Sequence, residues 1–108
     1  MYTLIDWLST PFQGHTKERI KKLLLRHRIY KGVTDVVDAT PRQKRIGVDL
    51  VVHVNNQRIF LQIQPNYNWA NIAKKYTVAN VAIIAANDRT PEGLLTKKLT
   101  DGLDYFRA

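Results

Sequence analysis

The sequence predicts an α/β fold in which a mixed sheet is flanked by helices, and three observations carry that expectation. The stretch "GVDLVVHVNNQRIFLQIQ", residues 47–64, alternates apolar and polar positions on either side of an Asn-Asn pair, the pattern of an antiparallel hairpin. The run "VAIIAA", Val81 to Ala86, is continuously apolar, as a strand covered on both faces is. Segments with helical apolar spacing lie on either side of these strands.

In chain order, Thr3 caps a short first helix, with Asp6 three residues on and Leu4, Ile5, Trp7 and Leu8 as its apolar content. Pro11 and Gly14 break it. A second helix is expected from about Thr16 to Tyr30. Ile20, Leu23, Leu24 and His27 recur at helical spacing and give it a buried stripe, while Lys17, Lys21 and Arg28 fall on another stripe with Lys22 nearby. Gly32 ends this helix. Val33 to Ala39 reads as a strand, followed by the polar, basic loop "TPRQKR". The hairpin supplies two more strands. Pro65 to Asn68 makes a break, and Trp69 to Tyr76 is a short helix. Thr90-Pro91-Glu92 then opens a last helix with a cap, a first-turn proline and an early acid, and Leu95, Leu99, Leu103 and Phe106 line its core side. The order is α, α, β, β, β, α, β, α.

At 108 residues the chain forms one domain, 1–108, large enough for a real core but too short for two. A hydrophobic content of 44% with 24% charged residues fits a globular protein. Cysteine is absent, so disulfides and thiolate zinc sites are excluded. The three histidines are scattered, and none pairs with another at helical metal-ligand spacing. No apolar run approaches bilayer length and the N-terminus lacks a signal-peptide pattern, so a cytoplasmic protein is expected.

Net charge is +8, from 17 Lys and Arg against 9 Asp and Glu. So basic a small domain favours a polyanionic partner, because neutralising phosphates releases counterions. A membrane surface is the weaker expectation, since no basic helix also carries a bulky aromatic face.

The hairpin register follows from the pattern. A two-residue turn at Asn55-Asn56 suits type I′ geometry and pairs Val54 with Gln57, Val52 with Ile59, and Asp49 with Gln62. Val48, Leu50, Val52 and Val54 then share one aliphatic face with Ile59, Leu61 and Ile63. Asp49, Gln62 and Gln64 cluster on the other, near the end away from the turn. A one-residue slip would mix the faces.

"VDLVVHVNNQRIFLQIQ" resembles the active-site hairpin of the PD-(D/E)XK (restriction-endonuclease-like) nuclease superfamily, most closely that of archaeal Holliday-junction resolvases. In that pattern an Asp opens one strand and Glu-x-Lys ends the next. Asp49 stands at the Asp position, Gln62 at the Glu position 13 residues on, and Gln64 at the Lys position. The superfamily's αβββαβ core order matches residues 16–86, about two-thirds of the chain. The resemblance implies a DNA-binding nuclease fold, DNA before RNA as partner, a homodimer, and an endonuclease using Mg²⁺ or Mn²⁺ where it is active. Asp49 and Gln62 would be its metal ligands. Gln62 can lend only an amide oxygen, and Gln64 cannot supply the positive charge of the lysine it replaces, so hydrolysis is expected to be weak unless a relocated cation compensates. Lys44, Lys74 and Lys75 are the candidates.

"GHTKER" resembles the family's helix entry and makes Glu18 a candidate catalytic acid, although at 100° per residue Glu18 lies nearly opposite the apolar stripe. Its plainer reading is a solvated acid at a helix start. His53 opposite Arg58 is a surface pair before it is a base, and Asp35 and Asp38 point to opposite faces of their strand. Trp69 either stacks on a base or packs on the sheet. The expected DNA-binding patch combines Lys17, Lys21, Arg28, Arg42, Lys44, Arg45, Lys74 and Lys75, with Arg42, Lys44 and Arg45 directly ahead of Asp49. Three functions are weighed on these grounds: a metal-dependent endonuclease acting on structured DNA, a catalytically inactive DNA-binding module, and a structural or protein-interaction module of the same fold.

Overall fold

A computed structural model of the chain describes residues 14–76 and 81–106. The expected first helix at Thr3 falls outside them.

Helix α1 (Thr16–Lys21) continues directly into a π-helical turn, Lys22–Arg26. Strand β1 (Val33–Asp38) follows, then the short helix α2 (Pro41–Arg45), the hairpin strands β2 (Leu50–Val54) and β3 (Gln57–Gln64), helix α3 (Tyr67–Tyr76), strand β4 (Val81–Ala85) and helix α4 (Glu92–Phe106). The strands form one sheet in the order β1-β2-β3-β4. β1, β2 and β3 pair antiparallel and β3 pairs parallel with β4, so the sheet is mixed, with α3 as the crossover between the parallel pair.

The hairpin forms because its turn and its alternation agree. Asn55 and Asn56 both take positive φ, 48° and 67°, as a type I′ turn requires. The ladder runs Val54↔Gln57, Val52↔Ile59 and Leu50↔Leu61, in the expected register. Its aliphatic face meets α1 and α4 in the main core: Ile20, Leu24, Leu50, Val52, Ile59, Leu61, Ile84, Leu95, Leu99 and Leu103 are all buried. Each such leucine or isoleucine contributes roughly 1.5–3 kcal/mol through the apolar surface it removes from water. A smaller cluster of Ala39, Val48, Val51 and Val81, with Phe60 against it, lies apart from that core.

Four expectations need correction. The helix that starts at Thr16 ends at Arg26, not Tyr30, and His27 is exposed instead of buried in its stripe. The π-helical turn changes the angular spacing of the residues that follow, and Arg28, at φ 48°, turns the chain well before Gly32. The "TPRQKR" loop contains a helix. Thr40 caps it, its hydroxyl accepting from the Gln43 N–H while the Gln43 side chain accepts from the Thr40 N–H, and Pro41 occupies the first turn. α3 begins two residues before Trp69, where the Asn66 side chain accepts from the Trp69 N–H and serves as the cap. Finally, Val48 leaves the aliphatic face for the smaller cluster, for a reason that lies in Asp49.

Two sets of hydrogen bonds fasten α1 and the segment that follows its π turn to the C-terminal half. The Arg19 guanidinium donates to the carbonyls of Asn87, Asp88 and Thr90, while the Asp88 carboxylate accepts from the Thr16 hydroxyl at 2.6 Å and the His15 N–H at 3.0 Å. Beyond the π turn, the Tyr30 hydroxyl donates to Asp104 of α4 at 2.6 Å.

Candidate functional site

The candidate site lies where β2 begins, and its centre is Asp49. In a regular continuation of the ladder Asp49 would stand opposite Gln62 as a non-hydrogen-bonded pair, its N–H turned away from β3, and the Val48 carbonyl would accept from Ile63. Instead the Asp49 N–H donates to the Leu61 carbonyl at 2.8 Å, so that Asp49 and Leu50 both face Leu61, the arrangement of a β-bulge. Val48 has turned away, its N–H donating to Gln43 of α2 at 3.0 Å. The acceptor that Ile63 would have lost is replaced by a side chain: Asp49 Oδ2 accepts from the Ile63 N–H at 2.7 Å. This carboxylate therefore completes the ladder in the plane of the sheet, where a flat alternation pattern would have it projecting beside Gln62. The bulge also explains why Val48 changes sides.

Asp49 is partly buried. Burial pushes its carboxyl above the usual carboxylate range, against the opposing effects of the Ile63 hydrogen bond and the positive charges of Lys17 and Lys44. Two ammonium groups from different elements, α1 and α2, thus act on this one carboxylate. Gln62 and Gln64, both partly buried, lie on the adjoining stretch of β3. The Gln62 amide packs against Gly47, where a Cβ would stand 2.9 Å from the movable Nε2 end of that side chain, and the φ of 93° at Gly47 is what calls for glycine.

The other candidate residues do not gather in one place. Lys17 and Lys21 converge on Asp38, at 3.5 and 3.1 Å, and Lys21 also reaches Glu18 at 3.6 Å. The hydrogen bond from Lys21 holds the Asp38 carboxyl below its usual range and raises Lys21 in turn. Glu18 is exposed, as its helical angle suggested, and answers a lysine; it is an ion-pair partner on the helix surface. Arg42, Lys44 and Arg45 are exposed on α2 and make no ion pair with any described residue. Lys74 belongs elsewhere, in a groove beside β4, with Lys75 exposed next to it on α3, and neither is among the cations acting on Asp49. Arg28 is exposed beyond the π turn, apart from α2. His53 pairs with Arg58 across the ladder, and Arg58 stacks over Phe60 at 5.7 Å.

As a metal centre the donor set fits poorly. Asp49 offers one carboxylate whose Oδ2 is already engaged, Gln62 and Gln64 offer neutral amides, and among the described residues no three His, Cys, Asp or Glu gather. Mg²⁺ gives up its hydration shell only for hard, charged oxygens in near-octahedral array, so the amides compensate little. What the arrangement does supply is positive charge: α2 carries three exposed cations immediately ahead of the bulge. Sequence reading found these cations but missed the bulge and the Arg19 clamp. Gly47 beside the capping sequence Thr40-Pro41-Arg42-Gln43 was the available signal for the first; for Arg19 no local pattern exists. Among the described residues, no helix is long and apolar enough to cross a membrane. Comparison with protein-family models, curated proteins and solved structures found no match to this chain.

Proposed function

We propose that the chain is a DNA-binding module of the restriction-endonuclease-like type that contacts the phosphate backbone without efficient cleavage. The observation that carries the reading is the exposed cation set Arg42, Lys44 and Arg45 on α2, in no ion pair with any described residue, next to a single partly buried carboxylate at the foot of the central hairpin. Support for the fold assignment comes from the strand order, three antiparallel strands followed by a crossover helix and a parallel fourth, with Asp49 and Gln62 on the two hairpin strands. A net charge of +8 supports a polyanionic partner. The shortage of acids around Asp49 favours binding over hydrolysis.

A second reading, a weak metal-dependent endonuclease, draws on Lys17 and Lys44, whose positive charges favour the ionised form of Asp49. The two readings part in one experiment. Wild type, Asp49→Ala and Gln62→Glu/Gln64→Lys are incubated with duplex and four-way-junction DNA, with and without Mn²⁺, and scored for retardation and nicking. Binding with no wild-type cleavage is expected. Cleavage by wild type that disappears in Asp49→Ala establishes the second reading, and absence of DNA retardation at low salt refutes both.

A further inference from the structure

We infer that the groove along the outer edge of β4 is a separate binding surface for single-stranded DNA, with bases stacking on exposed tyrosines and phosphates held by lysines. The inference is independent of the reading above, because it uses other residues on another part of the sheet.

β4 ends the strand order, and among the described residues no further strand pairs with it. Helices α3 and α4 stand on either side of this edge and leave a groove with an apolar floor of Val81, Ala82 and Ile83, closed at one end by Tyr105 and Phe106 and enclosing about 460 Å³. It runs on, through Lys74, Ile83 and Gly102, into a second hollow of about 280 Å³ reaching Tyr67 and Lys98. At the other end Phe106 also borders a third hollow of about 310 Å³, which contains Arg58 and Phe60. The three hollows therefore adjoin through shared lining residues, and both rings and cations line them.

Three features of this path select its occupant. First, the tyrosines that line it are open to solvent: Tyr67 and Tyr105 are 69% and 81% exposed, on α3 and α4, whereas Tyr30 in the core is buried. Exposed phenol rings around a groove are platforms on which any base can stack. Second, the rings are already oriented: Lys98 Nζ sits 5.1 Å from the Tyr67 centroid, and Tyr105 meets Phe106 edge-to-face at 4.8 Å. Third, cations outnumber carboxylates along it. Lys74, Lys98 and Arg58 line the path, and the one carboxylate on it, Asp101, is already engaged by Lys97 at 2.9 Å. A polyanion with flat, unpaired faces matches all three features, and a duplex, with its bases stacked inside, matches only the charge. DNA fits better than RNA because the floor is aliphatic and presents no side-chain acceptor to a ribose 2′-hydroxyl. A peptide strand adding to the β4 edge would use its backbone but would leave the cations without a role.

The test measures fluorescence anisotropy of a labelled oligo(dT), an oligo(rU) and a duplex on the full chain and three variants: Tyr67→Ala/Tyr105→Ala, Lys74→Ala/Lys98→Ala and Arg42→Ala/Lys44→Ala/Arg45→Ala. Thermal melts confirm that each folds. Loss of a stacking platform weakens binding by about tenfold per base. We expect Tyr67→Ala/Tyr105→Ala to lose at least tenfold in oligo(dT) affinity while keeping its duplex affinity. Lys74→Ala/Lys98→Ala should lose oligo(dT) affinity and show a flatter salt dependence. The α2 triple variant should retain oligo(dT) binding, so failure of the α2 reading leaves this result intact. Lack of oligo(dT) binding by wild type at low salt overturns the inference, as does binding indifferent to the tyrosines or oligo(rU) bound as tightly as oligo(dT). A wild-type dimer that Tyr105→Asp dissociates would assign the groove to a second copy instead and likewise overturns it.

Discussion

Replacing Asp49 in two ways separates its hydrogen bond from its charge. In Asp49→Ala the Ile63 N–H loses the oxygen that stands 2.7 Å away, and β2 offers no carbonyl in its place because Val48 has turned toward α2. A partly buried donor left without a partner costs about 1–3 kcal/mol. For a domain of about this size that corresponds to a fall in Tm of roughly 4–8 °C per kcal/mol. Asp49→Asn keeps an acceptor oxygen in the same position and removes the charge. Since burial raises the Asp49 carboxyl above its unfolded value, the folded protein holds this proton more tightly than the unfolded chain does. Below the unfolded pKa both states are protonated and nothing is lost. As pH rises from there through the folded pKa, the wild type loses stability, and above it the loss is complete and constant. Asp49→Asn lacks that decline. At neutral pH we therefore expect Asp49→Asn to equal or exceed wild type in stability and Asp49→Ala to fall below both, with the Asn advantage shrinking toward acid. Urea melts across the acid-to-neutral range check this. Equal destabilisation by Ala and Asn, or an unchanged pH decline in Asp49→Asn, would refute the assignment of Asp49 as a surrogate ladder acceptor burdened by its own charge.

Other substitutions probe the surroundings. Gly47→Ala meets both an unfavourable φ of 93° and the Gln62 amide 2.9 Å away, and should lose about 1–3 kcal/mol, part of which Gln62→Ala restores in a double-mutant cycle. Arg19→Lys cannot fork across three carbonyls, so a lower Tm is expected even though the charge is kept. On the proposed DNA reading, Arg42→Ala/Lys44→Ala/Arg45→Ala should weaken duplex binding uniformly across sequences. The slope of log K against log salt should become shallower by about 0.9 for each phosphate that the variant no longer neutralises.

How much of this was legible beforehand depended on the range of the interaction. The hairpin register, the β1 span and the last helix all followed from spacing, because alternation, the Asn55-Asn56 turn and the Leu95/Leu99/Leu103 period are written locally. α2 was legible too, in Thr40-Pro41-Arg42-Gln43, but basic residues among polar ones resemble a solvated loop when only charge is read. The bulge was not legible. Its cause is a side chain acting as a backbone acceptor, and a period-2 pattern contains no term for that. Likewise nothing in "KKLLLRHR" distinguishes a π-helical turn from an α-helical one, since Leu23 and Leu24 face the core in either. The strands that carry Asp49, Gln62 and Gln64 were thus legible, and the direction of the Asp49 side chain was not.

The ties between the two ends of the chain bear on the order in which it folds. The β2–β3 hairpin closes over a two-residue turn, whereas the Thr16–Asp88, Arg19–Thr90 and Tyr30–Asp104 bonds join residues 72, 71 and 74 positions apart. Closing so long a loop is entropically expensive and yields little until the parallel β3–β4 pairing has brought Asn87–Thr90 beside α1. The clasp should therefore be absent from the folding transition state: Arg19→Lys and Tyr30→Phe would speed unfolding and leave the folding rate almost unchanged, while Ile59→Val in the hairpin would slow folding, each seen as a shift in one arm of the chevron. By the same reasoning the clasp governs how long the native protein lasts once formed, since unfolding must release the N-terminal helix from the β4–α4 turn before the sheet can open.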